Sequence, residues 1–354
     1  MAMATIDLRS DTVTRPGPDM RRAMAEAEVG DDVFGEDPTV LRLQERAAET
    51  MGMEAGIFVP SGTMGNQIAL HLHGRPGTEV WCAEASHVLL YEMGALGALS
   101  GLTARTVPAE GGLLDPDRLA AAIPPSAPYR APASVLVIEN TFNMAGGRVY
   151  DRRRLDGVLA VGRDRGLACH LDGARLWNAA VALDVPPAEL VRGFDSVSFC
   201  LSKGLGAPVG SVLCGSRDLI TEAWRVRKML GGGMRQVGVL AAAGLVALDT
   251  GPGALVEDHA NARHLARGLA EIPGLSANPD AVDTNILMVQ VTARFFGGGD
   301  DGPGDAGRLV GALAERGVLA IPTGADEVRF VTHRDVGRSD IDRAVDIAQG
   351  LAGS

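Results

Sequence analysis

Short apolar runs alternate with longer helix-like segments between residues 55 and 250. That alternation predicts an α/β layer fold with a mainly parallel sheet, because each parallel strand pair needs a crossover between its members. The strand candidates are ASVLVIEN (133–140), GLACHLD (166–172), DSVSFCL (195–201) and GSVLCG (210–215). A helix start is legible in LDPDRLAAAI, where Asp115 supplies a cap, Pro116 the first helical position and Asp117 an acidic first turn. After residue 250 the pattern changes to a helix-like EDHANARHLARGLAEI, a strand NILMVQV, a loop FFGGGDDGPGDAG, a strand VRFVTH and a helix SDIDRAVDIAQGLAG. Residues 1–250 are therefore expected to form a large domain with an N-terminal arm, and 251–354 a smaller C-terminal α+β domain. The Gly/Asp/Pro run at 296–307 reads as a mobile surface loop without chemistry.

A chain of 354 residues suits two domains, and 46% hydrophobic content leaves ample material for a core. A net charge of −11 and a pI near 5.1 argue against nucleic acid or an acidic membrane as the main partner. Cys82, Cys169, Cys200 and Cys214 show no CxxC spacing and are expected as buried free thiols of a reducing, cytoplasmic compartment. The N-terminus reaches charge by Asp7 and Arg9, so no apolar stretch of signal-peptide length is read there, and no window is expected to approach a membrane span.

Lysine occurs only at positions 203 and 228, so 31 of the 33 basic residues are arginine. An amine can lose its proton and condense with a carbonyl, whereas a guanidinium stays protonated. Lys203, in SFCLSKGLGAPVG, is thereby a candidate Schiff-base lysine. Ligands of open α/β sheets bind at the carboxyl ends of strands. Three such ends carry chemistry here: Asp172 and Arg175 in HLDGAR, Lys203 in SFCLSK, and Asn140 in IENTFN. A strand-end aspartate alone is a turn former. With an imine-forming lysine 31 residues later, it acquires the task of facing the ring nitrogen of pyridoxal phosphate. Ser61, Gly62 and Thr63 open an apparent helix in VPSGTMGNQIAL, a place for the cofactor's phosphate. RKMLGGGMRQ puts Lys228 and Arg235 around three glycines, either completing that anion site or forming a solvated loop. His87 is the candidate to stack on the pyridine ring, and Ser10, Arg175 and Arg329 to hold a substrate carboxylate. GLGAPVG also fits a dinucleotide-type glycine pattern, but Pro208 interrupts it and the strand-like GSVLCG follows where a helix should open. No metal ligands are assigned.

The ordered motifs DLRSDTVTRP, GDDVFGEDPTV, FVPSGTMGNQ, HLDGARLWNA, CLSKGLGAPVGS, RKMLGGGMRQ with AAAG, and VRFVTH span nearly the whole chain. On them it resembles the low-specificity L-threonine aldolases, pyridoxal-phosphate enzymes of fold type I, the aspartate-aminotransferase-like superfamily. The resemblance implies a seven-stranded, mainly parallel sheet and retro-aldol cleavage of L-threonine, L-allo-threonine and other β-hydroxy-α-amino acids to glycine and an aldehyde. It implies that Lys203 binds the cofactor, that Asp172 pairs with its pyridine nitrogen, that His87 stacks on its ring, that Gly62 with Thr63 hold its phosphate, that Ser10, Arg175 and Arg329 take the amino-acid carboxylate, and that Arg235 reaches a neighbouring subunit's phosphate in a homotetramer. Lys203 and His87 are the expected catalytic residues, and Ser61, Arg175 and Lys228 further candidates to bind the cofactor. Two positions depart from the family's pattern: Phe142 stands in ENTFN where histidine is usual, and Phe34 in DDVFG where tyrosine is usual. Both are expected near the substrate, which leaves His87, an ordered water or another group as the base. An aminotransferase, a serine hydroxymethyltransferase-like enzyme and a non-catalytic relative are the alternatives, since they would share sheet and cofactor.

Overall fold

The structure is a computed structural model describing residues 5–298 and 302–353. The centre of the glycine-rich run, 299–301, lies outside the described residues.

A seven-stranded sheet runs in the order Ala55–Val59, Ser211–Gly215, Ser196–Cys200, Ala168–Asp172, Ala133–Glu139, Glu79–Ala83, Thr103–Val107. All pairings are parallel except the two made by Ser211–Gly215, which runs antiparallel to both neighbours. That strand follows GLGAPVG directly, which is why the glycine pattern there opens no nucleotide-binding helix. The central strands are buried along their length, as continuous apolar runs covered on both faces must be. Register matters most at the carboxyl edge, where Glu139 pairs with Asp172 and Asp172 with Ser198. Three polar side chains are thereby brought side by side at one end of the sheet.

The second unit is a four-stranded antiparallel sheet, Ile321–Pro322, Glu327–Val331, Ile286–Val291 and Leu275–Ser276. The N-terminal arm joins this unit: Ile6–Asp7 pairs with Val318–Leu319, and Ile6 and Leu8 pack into its core. The boundary expected at residue 250 falls inside one helix, Gly238–Ala270. Its first half packs into the large core through Ala241, Ala243, Ala247 and Leu255, and its second into the small core through Ala262, Leu265 and Leu269. This helix also corrects the reading that no window approaches a membrane span, since one stretch reaches a mean hydropathy of 1.7, enough by length and composition. Its apolar residues are spent on the two cores it links. The four cysteines are buried and free.

Candidate active site

Two cavities meet at the carboxyl edge of the large sheet. The inner one, about 150 Å³, is walled by Ser61, Gly62, Thr63, Asn66, Asp172 and Lys203. The outer one, about 480 Å³, contains Ser10, Tyr91, Asn143, Arg175 and Arg329. Thr12, His87 and Lys203 line both. A larger cleft of about 650 Å³ opens at the opposite edge, around Ala168 and Gly215, far from this chemistry.

Ser61 caps the helix Gly62–His73, its Oγ accepting from the Met64 N–H at 3.2 Å. The other first-turn N–H groups have no intrahelical acceptor, which makes this end a donor set for an anion. Close packing requires the glycines: a Cβ on Gly62 would lie 2.9 Å from Cys200 Sγ, and one on Gly65 2.3 Å from Ser198 Oγ. Asp172 is buried, with Oδ1 accepting the Ala174 N–H at 3.1 Å and Oδ2 accepting from Asn66 Nδ2 at 2.8 Å. Lys203 sits in the turn after Ser196–Cys200, its carbonyl held by the Thr14 hydroxyl at 3.0 Å.

His87 opens a short helix against a buried carboxylate, its N–H donating to Glu139 Oε2 at 2.8 Å. Its Nδ1 lies 3.0 Å from Glu92 Oε1, so Nδ1 carries the hydrogen and Nε2 is left for the cavities. Burial disfavours the imidazolium, but the Glu92 hydrogen bond and the Asp172 and Glu92 charges outweigh it and raise the pKa. Glu139 also accepts the Asn143 N–H at 2.8 Å; its burial, then the Asp172 charge, raises its own pKa. His87, Glu92 and Asp172 bring ligand-type atoms within 4.8 Å of one another. Asn66 already donates to both carboxylates, which accounts for the cluster without a cation.

In the outer cavity two guanidinium groups converge. Arg175 grips Asp11 with Nε and Nη2, at 2.8 and 2.7 Å, and donates from Nη1 to Asn143 Oδ1 at 3.2 Å. Arg329 donates to the same oxygen at 3.1 Å, while its buried Nε has no partner among the described residues. Burial, then the Arg175 charge, lowers the Arg329 pKa. Asp11 thus bonds the buried Arg175 directly and leaves the half-buried Arg329 without a carboxylate partner of its own among the described residues. The remaining positive charge suits a substrate carboxylate, with the Ser10 hydroxyl on the same wall.

Of the residues singled out in the sequence, Lys203, Asp172, His87, Ser61, Gly62, Thr63, Ser10, Arg175 and Arg329 therefore line one composite cavity. Five do not. Phe142 is 2% exposed in the large core, its ring so close over Gly112 that a Cβ there would lie 2.0 Å from it. The ring packs in that core and lines neither cavity, so it faces no substrate there. Phe34 ends the turn Asp32–Phe34 and is 74% exposed, outside both cavities of this chain. Lys228 is exposed, with its stem against Gly233; it is Arg227, fully buried on Asp32 at 2.6 Å, that turns inward. Arg235 projects outward, 3.6 Å from Asp31. Asn140 spends its Oδ1 on the Tyr150 N–H at 3.3 Å. Reading the sequence missed Asn66, Glu92, Glu139, Asn143 and Asp11. Asn66 had a signal, one helical turn after Gly62 and so on the same face.

A largely parallel sheet with a lysine and a buried aspartate at its carboxyl edge is the arrangement that an α/β pyridoxal-phosphate enzyme needs. The beta-eliminating lyase family model matches residues 7–293. The low-specificity L-threonine aldolase 1 of Arabidopsis thaliana is 44% identical over 346 residues, covering 96% of this chain and 94% of that one. The low specificity L-threonine aldolase of Escherichia coli K12 is 44% identical over 337 residues, covering 95% and 96%. The chain belongs to this family of low-specificity L-threonine aldolases within the beta-eliminating lyases. A Leishmania major threonine aldolase structure shares the fold, with a TM-score of 0.80 at 21% identity over 98% of this chain and 99% of that one.

Proposed function

We propose that this chain is a pyridoxal-phosphate-dependent carbon–carbon lyase that cleaves L-threonine, L-allo-threonine and related β-hydroxy-α-amino acids to glycine and an aldehyde. The observation that carries the reading is the junction of the two cavities at Lys203 and His87, one suited to the cofactor and one to an amino acid's carboxylate. The inner cavity fits the cofactor: Lys203 would hold its aldehyde, Asp172 its ring nitrogen, His87 one ring face, and Ser61, Gly62 and Thr63 its phosphate. The glycine at 62 leaves room that a Cβ would fill. When bound, pyridoxal phosphate supplies the sink for the electron pair released as the Cα–Cβ bond breaks.

The chain's own groups do the rest. Arg329, Arg175 and Ser10 bind the substrate carboxylate and fix the rotation about Cα. His87, with Nδ1–H committed to Glu92, presents Nε2 to take the β-hydroxyl proton directly or through one water. The raised pKa makes this imidazole a stronger proton acceptor. Arg235, exposed and outside its own chain's cavities, is assigned to a neighbouring subunit's phosphate in a homotetramer, and Lys228 accompanies it in the same loop region. The buried free thiols support a reducing, cytoplasmic setting.

Incubation with L-threonine should yield glycine and acetaldehyde. A keto acid with pyridoxamine phosphate would indicate an aminotransferase instead. Borohydride should fix the cofactor to a peptide containing Lys203, and fixation at Lys228 would overturn the assignment.

A further inference from the structure

Behind Asp172 a chain of buried polar side chains runs through the large unit to its opposite edge. Asn66 Nδ2 lies 2.8 Å from Asp172 Oδ2 and 2.9 Å from Glu92 Oε1, one hydrogen for each carboxylate. Its Oδ1 therefore faces His170 Nε2, at 3.0 Å, and accepts from it. His170 is fully buried, and burial pushes its pKa down to about 3, so the ring is neutral with one hydrogen, on Nε2. Nδ1 is then an acceptor and takes the Ser196 hydroxyl hydrogen at 2.8 Å. Ser196 Oγ, its hydrogen spent, accepts from His73 Nε2 at 2.8 Å. His73 borders the 650 Å³ cleft beside Asp195.

Every link has one direction, fixed by carboxylates that can only accept. Reversing any of them would set two N–H groups or two lone pairs face to face in a buried place, where an unmade hydrogen bond is most costly. We propose that His170 is a positioning residue for Asp172: its Nε2–H, held in that tautomer by Ser196 and His73, locks the Asn66 amide in the orientation that serves Asp172 and Glu92 together. Among the described residues, the carboxylate of Asp172 has one other hydrogen bond, from the Ala174 N–H. The Asn66 amide thus sets how firmly that group faces the ring nitrogen, and Glu92 passes the same constraint to His87.

The inference rests on pyridoxal phosphate occupying the inner cavity. It is tested on the full chain with the cofactor removed and titrated back, reading the dissociation constant, the pH midpoint of the bound cofactor's visible band, and the melting temperature. His170→Leu removes the donor and should weaken cofactor binding about tenfold and move the band's midpoint, as expected for losing one hydrogen bond to a charged network. His170→Gln keeps an amide N–H in place of Nε2 and should recover most of both. Ser196→Ala, a smaller change that serves if the leucine variant does not fold, should weaken binding several-fold in the same direction. Equal behaviour of the leucine and glutamine variants would overturn the proposal. So would an unchanged affinity and band in His170→Leu despite a lower melting temperature, or in Ser196→Ala. A native chain that fails to take up the cofactor would overturn the functional reading instead, which keeps the two failures distinct.

Discussion

Replacing Asp11 by asparagine probes whether the carboxylate clamp is also a structural keystone. Asp11 is 0% exposed and accepts from Arg175 at 2.8 and 2.7 Å and from Asn285 Nδ2 at 3.3 Å. Burial alone would raise its pKa, but the Arg175 charge and hydrogen bonds, helped by Lys203 and Asn285, hold it at about 2, below the ordinary 3.8. At 1.36 kcal/mol per pH unit that difference is worth about 2 kcal/mol. Because the folded pKa is depressed, this stability is present above about pH 4 and is lost as pH falls towards 2.

The substitution should cost more than that, about 3–5 kcal/mol at neutral pH, because it leaves the Arg175 cation buried and unpaired. Urea unfolding should show a lower midpoint at an unchanged slope. Pairing Asp11→Leu with Arg175→Met should then restore much of the loss, since removing both charges removes the uncompensated one, while KM stays high because half the clamp is gone. Single-variant costs that add within about 0.5 kcal/mol in the double variant would refute the coupling, and with it the view that Asp11 holds Arg175 in place.

Arg329→Leu should raise KM for L-threonine on the order of 10- to 100-fold, with the cofactor's absorbance intact, as expected for one charge-assisted contact in the outer cavity. Mixing Arg235→Ala chains with Lys203→Ala chains should restore activity through hybrid oligomers that contain one intact composite site; no recovery despite confirmed subunit exchange would count against a shared site. Phe142→His should destabilise the chain by about 1–3 kcal/mol and leave the threo/erythro ratio unchanged, because the ring lies in the core. A changed ratio at undiminished stability would put that residue back in the site.

Four of the seven strands were legible because they are largely buried: ASVLVIEN resolves into Ala133–Glu139 and DSVSFCL into Ser196–Cys200, whereas the mostly exposed edge strand Thr103–Val107 gave no such run. Asp172 and Lys203 followed from the rule that parallel sheets gather chemistry at their carboxyl ends. Past the last paired residue the alternation stops, so nothing local told that Asn140 and Phe142 turn inward while Asn143 reaches the arginines. The helix that crosses the expected boundary was hidden for a related reason. The expected boundary falls at Thr250, Gly251, Pro252 and Gly253, where the pattern changes, yet the helix continues through them, with Gly251 tight against Leu205. Arg227 was legible after all: Ile220, Ala223 and Arg227 fall on the buried stripe of the helix Arg217–Met229, and Lys228 falls off it.

What no single motif displays is the polarity of the assembled site. Its inner end gathers three buried carboxyl groups, Asp172, Glu92 and Glu139, tied by Asn66, Gln67 and backbone N–H groups. Its outer end gathers Arg175 and Arg329, with Asp11 answering only one of them directly. Lys203 and His87 stand between the two ends. Such a gradient favours a cationic ring nitrogen at the inner end and an anionic carboxylate at the outer, which fixes the direction in which cofactor and amino acid must lie. That direction would put the Cα–Cβ bond near the junction of the two cavities, where His87 and Lys203 lie, with the amino acid's shared groups directed at Arg175 and Arg329.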